Sequence, residues 1–185
     1  ANVAALAEVL VGCAQGAQSA VIVTLGTGVG GGVVLDGKML TGYTGAASEL
    51  GHMVIRAGGE ECTCGRRGCF EAYASATALI RETKRAMAAH PESRMHAAAE
   101  ENGAVDGRTA FIAAQRGDAA AQAVVDRYLD DLACGVANIV NIFFPEVIAL
   151  SGGVANQGDA LLVPLRERVR PLGYGSRYAV RHTRI

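Results

Sequence analysis

An α/β fold is predicted for this 185-residue chain by three observations. Two short apolar runs, Ala20 to Leu25 and Glu146 to Leu150, read as buried strands, and each runs straight into a glycine turn. Between them apolar residues recur at helical spacing, above all from Ala119 to Phe144. The 24 glycines gather at 26–32, 37–51, 58–68 and 152–158, at the joints of these elements.

Composition narrows the function classes. Half of the residues are apolar, enough to bury a sizeable core, as one domain or two small ones. A formal net charge of −1 provides no basic field for nucleic acid or an anionic membrane surface. No apolar run approaches the roughly 18 residues that span a bilayer, and no secretory leader opens the chain. Of the five cysteines, Cys13 and Cys134 sit in apolar, helix-like surroundings and read as buried thiols. A reducing, cytoplasmic compartment is therefore expected.

Taken in order, Ala1 to Val11 has good helix formers at helical spacing, and Gly12 and Gly16 mark its end. It begins without an initiator methionine, which hints at a chain cut from something longer. Ala20 to Leu25 is the first strand, and Val29 to Leu35 returns from it as a hairpin across Gly26-Thr27-Gly28. Asp36-Gly37 is a turn signal for the next reversal. The Gly-Thr-Gly turn exposes backbone N–H groups in a nest that suits phosphate oxygens. It is neither a Walker loop, lacking the Gly-Lys-Ser/Thr ending, nor a dinucleotide fingerprint, because a strand follows it. A glycine-rich hairpin without any ligand fits the same residues.

Glu49 to Glu71 holds the chain's densest cluster of chemistry: His52, Cys62, Cys64 and Cys69. One imidazole and three thiols so close together suit Zn²⁺, for which Cys₃His is a common structural set. Gly58, Gly59, Gly65 and Gly68 supply a permissive backbone for the tight Cys62-Thr63-Cys64 turn. The alternatives are a disulfide with one spare thiol, or ordinary buried cysteines. Phe70 to Ala88 reads as a helix with Glu71 in its first turn, where a carboxylate complements the helix dipole.

His90 and His96 fall in a polar stretch and read as solvated surface residues. Asp106 to Ala114 begins another helix, and Gly117-Asp118 punctuates it. The long helix that follows carries Val124, Val125, Tyr128, Leu132, Val136, Ile139, Val140 and Phe143 as an apolar stripe. Asp126, Arg127, Asp130 and Asp131 are expected to face away from that stripe, and Pro145 stops the helix. After the second strand, Ser151-Gly152-Gly153 turns into a helix over about Gly158 to Val169, a joint that either admits a nucleotide or is a plain βα turn. Arg177 to Ile185 reads as a last strand, with His182 structural in it.

Four segments together resemble the ROK proteins (repressors, open reading frames and sugar kinases), and bacterial glucokinases within them. They are LGTGVGGGVV at 25–34, SELGHM at 48–53, CTCGRRGCFEAYAS at 62–75 and NIVNIFFPEVIALSGGV at 138–154. The resemblance implies an actin-like, ribonuclease-H-like ATPase fold, a mixed sheet with flanking helices and an inserted zinc loop. It implies that residues 1–185 are an incomplete C-terminal large domain, without the N-terminal domain and the C-terminal helix. Glu49, His52 and Glu71 would contact sugar hydroxyls, with His52 giving one ring nitrogen to structural zinc and keeping the other for the sugar. Gly26, Thr27 and Gly28 would meet the phosphates of ATP with Mg²⁺, and Gly152 and Gly153 its adenosine side. The catalytic aspartate of the family precedes an Ala-Asn like Ala1-Asn2, so no catalytic residue is expected within this chain, and the chain alone is expected to be inactive. The implied activity is phosphorylation of the glucose 6-hydroxyl in a homodimer or homotetramer. N-acetylglucosamine, N-acetylmannosamine or fructose kinases and sugar-sensing repressors remain as alternatives.

Overall fold

The computed structural model describes residues 1–174. The strand expected over Arg177 to Ile185, with His182, lies outside the described residues. Among the described residues, four strands form one mixed sheet in the order β3-β2-β1-β4. Strand β1 (Ala20–Leu25) pairs antiparallel with β2 (Val29–Leu35) and parallel with β4 (Val147–Ser151). Strand β3 (Lys38–Met39) closes a tight hairpin with β2. Asp36 and Gly37 both take positive φ there, 51° and 70°, as a two-residue turn that matches strand twist requires.

The apolar run of β1 is buried on both faces, which explains its lack of polar alternation. Val21, Val23 and Leu25 join the larger core, whereas Ala20 and Ile22 join a smaller one with Ala5 of α1 (Asn2–Val11) and with Val147 and Ala149 of β4. Helix α1 lies directly on β2 because Gly30 and Gly32 present no side chains; a Cβ at Gly32 would meet Ala5 Cβ at 2.5 Å. On the opposite face Gly31 makes room for Leu50 and the Ser48 carbonyl. The three glycines of β2 thus pack α1 on one side and the start of the cysteine-rich segment on the other.

The expected helix from Phe70 to Ala88 is two helices, α2 (Glu71–Ala74) and α3 (Ala76–Ala89). Ser75 is extended (ψ 161°), and its hydroxyl accepts from the Ala78 N–H at 3.1 Å, so it caps α3 and breaks the run. A further helix, α4 (Met95–Asn102), occupies the stretch that reads as polar loop, and α5 (Thr109–Gln115) follows. His90 is exposed as expected, 3.3 Å from Glu92, but His96 is half-buried with Nε2 3.3 Å from the Met87 carbonyl. Cys13 is exposed in a turn and Cys134 is half-buried, so neither is the buried thiol expected.

Helix α6 (Ala119–Phe143) is the central helix, capped by Asp118, whose carboxylate accepts from the Ala121 N–H at 2.8 Å. Burial opposes ionisation of Asp118, but hydrogen bonds from Ala121, the Ser93 hydroxyl and the Arg94 N–H outweigh it and hold the carboxyl below its ordinary value. Asp126 and Asp130 face outward and pair with Arg168 of α7 (Asp159–Val169). Asp131 does not face away: it is buried at 7 % exposure and paired with Arg56. No described helix is long and apolar enough to cross a membrane.

Candidate functional site

Parallel pairing of β1 and β4 sets their carboxyl ends side by side, with Thr24 opposite Ser151. The turns that follow, Gly26-Thr27-Gly28 and Gly152-Gly153, therefore share one edge of the sheet, the usual ligand-binding position in α/β sheets. Gly152 takes φ 89°, and a Cβ there would press on the Leu25 carbonyl at 2.6 Å, so the second turn rests against the last residue of β1. A short 3-10 turn (Gly153–Gln157) intervenes before α7, which starts at Asp159.

The Gly-Thr-Gly turn is tied to the start of α3. Ala76 N–H donates to the Gly26 carbonyl at 2.8 Å, and the Thr77 hydroxyl donates to the Thr27 carbonyl at 2.7 Å. Gly28 abuts the carboxylate of Glu71, leaving no space for a Cβ. That carboxylate accepts from the Val29 N–H through Oε2 and from the Thr63 hydroxyl through Oε1, both at 3.0 Å. Glu71 thus links the phosphate-type turn to the cysteine-rich segment. Glu49 is exposed and precedes a 3-10 turn, Leu50–His52, where its carbonyl accepts from the His52 N–H at 3.0 Å.

The cysteine-rich segment folds back on itself through bridges Val54–Cys69 and Glu61–Arg67. The ligand atoms of His52, Cys62, Cys64 and Cys69 lie within 4.8 Å of one another. Cys62 Sγ stands 3.6 Å from His52 Nδ1, and Cys64 Sγ stands 3.6 Å from Cys69 Sγ. Zn–S and Zn–N bonds at tetrahedral angles require donor separations of about 3.5–3.8 Å, so this donor set fits the ion. No disulfide joins these cysteines, and the convergence of all four donors within 4.8 Å favours a metal over scattered core thiols. His52 turns Nδ1 toward the thiols, which frees Nε2 for another partner.

Arg66 closes the loop. Its guanidinium donates to the His52 carbonyl at 2.6 Å, and hydrogen bonds from its backbone N–H and side chain bring the exposed Cys64 thiol down to about 6. Burial, and then the neighbouring thiols, push Cys69 up to about 11. A bound Zn²⁺ would hold all three as thiolates irrespective of that difference.

The sequence singled out Glu49, His52, Glu71, the three thiols and both glycine turns; the structure groups His52 with the thiols, ties Glu71 to Cys62, Thr63 and the Gly28–Val29 turn, and rests Gly152 on Leu25. Thr63, Arg66, Tyr73 and Thr77 join them without having been anticipated. They act through hydrogen bonds to backbone groups, to Glu71 or, for Arg66, also to Cys64, contacts that leave no spacing signal in the chain.

The ROK family profile matches residues 1–179. A glucokinase from Halalkalibacterium halodurans is 42 % identical over 168 residues, covering 90 % of this chain and 51 % of the relative. A ROK family glucokinase from Streptomyces griseus, solved in complex with glucose and AMPPNP, superposes with TM-score 0.89 at 32 % identity, covering 98 % of this chain and 59 % of that one. A xylose repressor from Caldicellulosiruptor bescii is 30 % identical over 167 residues, 90 % of this chain and 42 % of its own length. The chain spans about half the length of the curated relatives it matches. The actin-like ATPase fold is thus the fold of this chain, and the chain belongs to the ROK family.

Proposed function

We propose that this chain is the incomplete large domain of an ATP-dependent hexose kinase that phosphorylates the 6-hydroxyl of glucose. The observation that carries the reading is the Glu71 carboxylate, which bonds the Val29 N–H beside the phosphate-type turn and stands 3.6 Å from Cys62. A sugar held by Glu49, His52 Nε2 and Glu71 would lie next to phosphates cradled by Gly26, Thr27 and Gly28. Gly152 and Gly153 would border the adenosine. Phosphoryl transfer asks mainly for such positioning, with Mg²⁺ neutralising phosphate charge and a base near the attacking hydroxyl.

Glu71 already accepts two hydrogen bonds, and in this reading Glu49 accepts from a sugar hydroxyl, so the base is assigned outside this chain. Ala1 itself packs against Gly30 and Gly32 of β2. Zinc, held by His52, Cys62, Cys64 and Cys69, would serve as a scaffold: four protein ligands leave no position for a reacting water. Free thiols of this kind fit a reducing, cytoplasmic compartment. A homodimer or homotetramer is what the resemblance to the family implies for the whole protein.

Calorimetric titration with glucose, N-acetylglucosamine, N-acetylmannosamine and fructose tests the substrate. Glucose is expected to bind tightest, with His52→Ala abolishing the preference; equal or better binding of another hexose would replace glucose in this reading. The similarity to a xylose repressor supports a second reading, a sugar-sensing regulator with the same sugar site. A helix-turn-helix in the sequence preceding Ala1 would decide for the regulator.

A further inference from the structure

Asp131 is the one charged side chain buried among the described residues, at 7 % exposure. It stands in the middle of α6 and lines a cavity together with Arg56, Glu60, Tyr73, Arg127 and Tyr128. Its hydrogen-bond partner is the Arg56 guanidinium, which comes from the metal-binding segment 75 residues earlier. Arg56 also lies over the Tyr73 ring, 4.7 Å from its centroid. The Tyr73 hydroxyl in turn accepts from the Glu60 N–H at 2.7 Å. The segment is thereby held to the helical layer at Arg56, four residues past His52, and at Glu60, two residues before Cys62.

Those two anchors reach the remaining ligands through the backbone. Ile55 and Arg56 N–H groups donate to the Gly68 carbonyl at 2.9 and 3.2 Å, and Gly68 N–H donates to the Glu60 carbonyl at 2.8 Å. Gly68 has no room for a Cβ against the Arg56 carbonyl, and Gly59 has none against the Tyr73 hydroxyl. Displacing Arg56 therefore shifts Gly68 and its neighbour Cys69 together. A buried ion pair is a poor source of stability, since an apolar pair of similar volume is often as good or better. The carboxylate is better explained by where it holds Arg56.

We propose that Asp131 is a positioning residue for the metal-binding loop, acting through Arg56 to fix His52 and Cys69 for the ion and Nε2 of His52 for the sugar. The inference rests on the metal and hexose assignments above. It assigns Asp131 no contact with sugar, nucleotide or metal.

The test compares the zinc affinity of wild type, Asp131→Asn and the double variant Arg56→Met with Asp131→Leu, by competition with a chromophoric chelator. Thermal midpoints and glucose affinity are recorded on the same samples. Both variants are expected to bind zinc roughly 10- to 100-fold more weakly, as losses of outer-shell partners do, and to bind glucose more weakly. The double variant buries no lone charge, so its zinc-free thermal midpoint is expected to equal or exceed that of wild type. Should Asp131→Asn fail to fold, the double variant carries the comparison. A double variant with wild-type zinc and glucose affinity would overturn the inference while leaving the metal assignment standing. A wild-type protein that binds no zinc would overturn the metal assignment, and this inference with it.

Discussion

Gly28→Ala isolates the link between the phosphate-type turn and the Glu71 carboxylate proposed to contact the sugar. Gly28 does not occupy the left-handed region, so the backbone accepts alanine without strain. What the new Cβ meets is the carboxylate of Glu71, the far end of a flexible side chain that can swing away. Swinging away breaks the bond from the Val29 N–H, 3.0 Å long and charge-assisted. A hydrogen bond to a charged group contributes about 1.5–3 kcal/mol, so glucose affinity is expected to fall roughly 10- to 150-fold if Glu71 must be in place to bind it. The effect is predicted without nucleotide present, although the substitution lies in the turn assigned to phosphate. Isothermal titration with glucose reads it, and circular dichroism confirms that the fold is kept. Unchanged glucose affinity in a folded Gly28→Ala protein would refute the claim that the Val29 contact sets the sugar-binding position of Glu71.

Asp118→Ala removes the cap of α6 and the acceptor of Ser93 and Arg94, and is expected to cost about 1–2 kcal/mol in denaturant unfolding at neutral pH. Because the folded state holds the Asp118 carboxyl below its ordinary value, its contribution is present above the unfolded value and lost as pH falls through the folded one. The difference between variant and wild type should accordingly shrink in acid; a constant difference down to the acid transition would contradict this. Gly135→Ala places a Cβ into the Phe70 ring and should destabilise by about 1–3 kcal/mol through overpacking. Since Phe70 immediately precedes Glu71, glucose affinity should fall with it, and a stability loss with no change in affinity would show that the two are uncoupled.

The sheet and its turns were legible because their signals are local. An apolar β-branched run, an Asp-Gly reversal and a glycine pair after a strand each dictate their own geometry, as β1, the β2–β3 turn and the β4 joint show. The group of His52, Cys62, Cys64 and Cys69, which could hold a metal, was legible for the same reason, being close in sequence and chemically distinctive. The break at Ser75 was hidden because alanines on both sides favour helix, whereas the deciding contacts come from Gly26 and Tyr128, far away in the chain. Asp131 misled for a related reason: beside Asp130, it reads as one more exposed acid. Only the approach of Arg56 from the cysteine-rich segment makes its burial tolerable. Glu71, expected at a helix start facing a sugar, carries its tie to Val29 as information that only the folded hairpin holds.

In the proposed function, zinc held by His52, Cys62, Cys64 and Cys69 fixes Glu49, His52 and Glu71 in place for the sugar. Glucose titration of the same protein before and after chelation, with zinc then restored, tests it most directly. Stripping the metal is predicted to abolish glucose binding and stoichiometric zinc to recover it. A metal-free protein that stays folded and binds glucose with undiminished affinity would contradict the account.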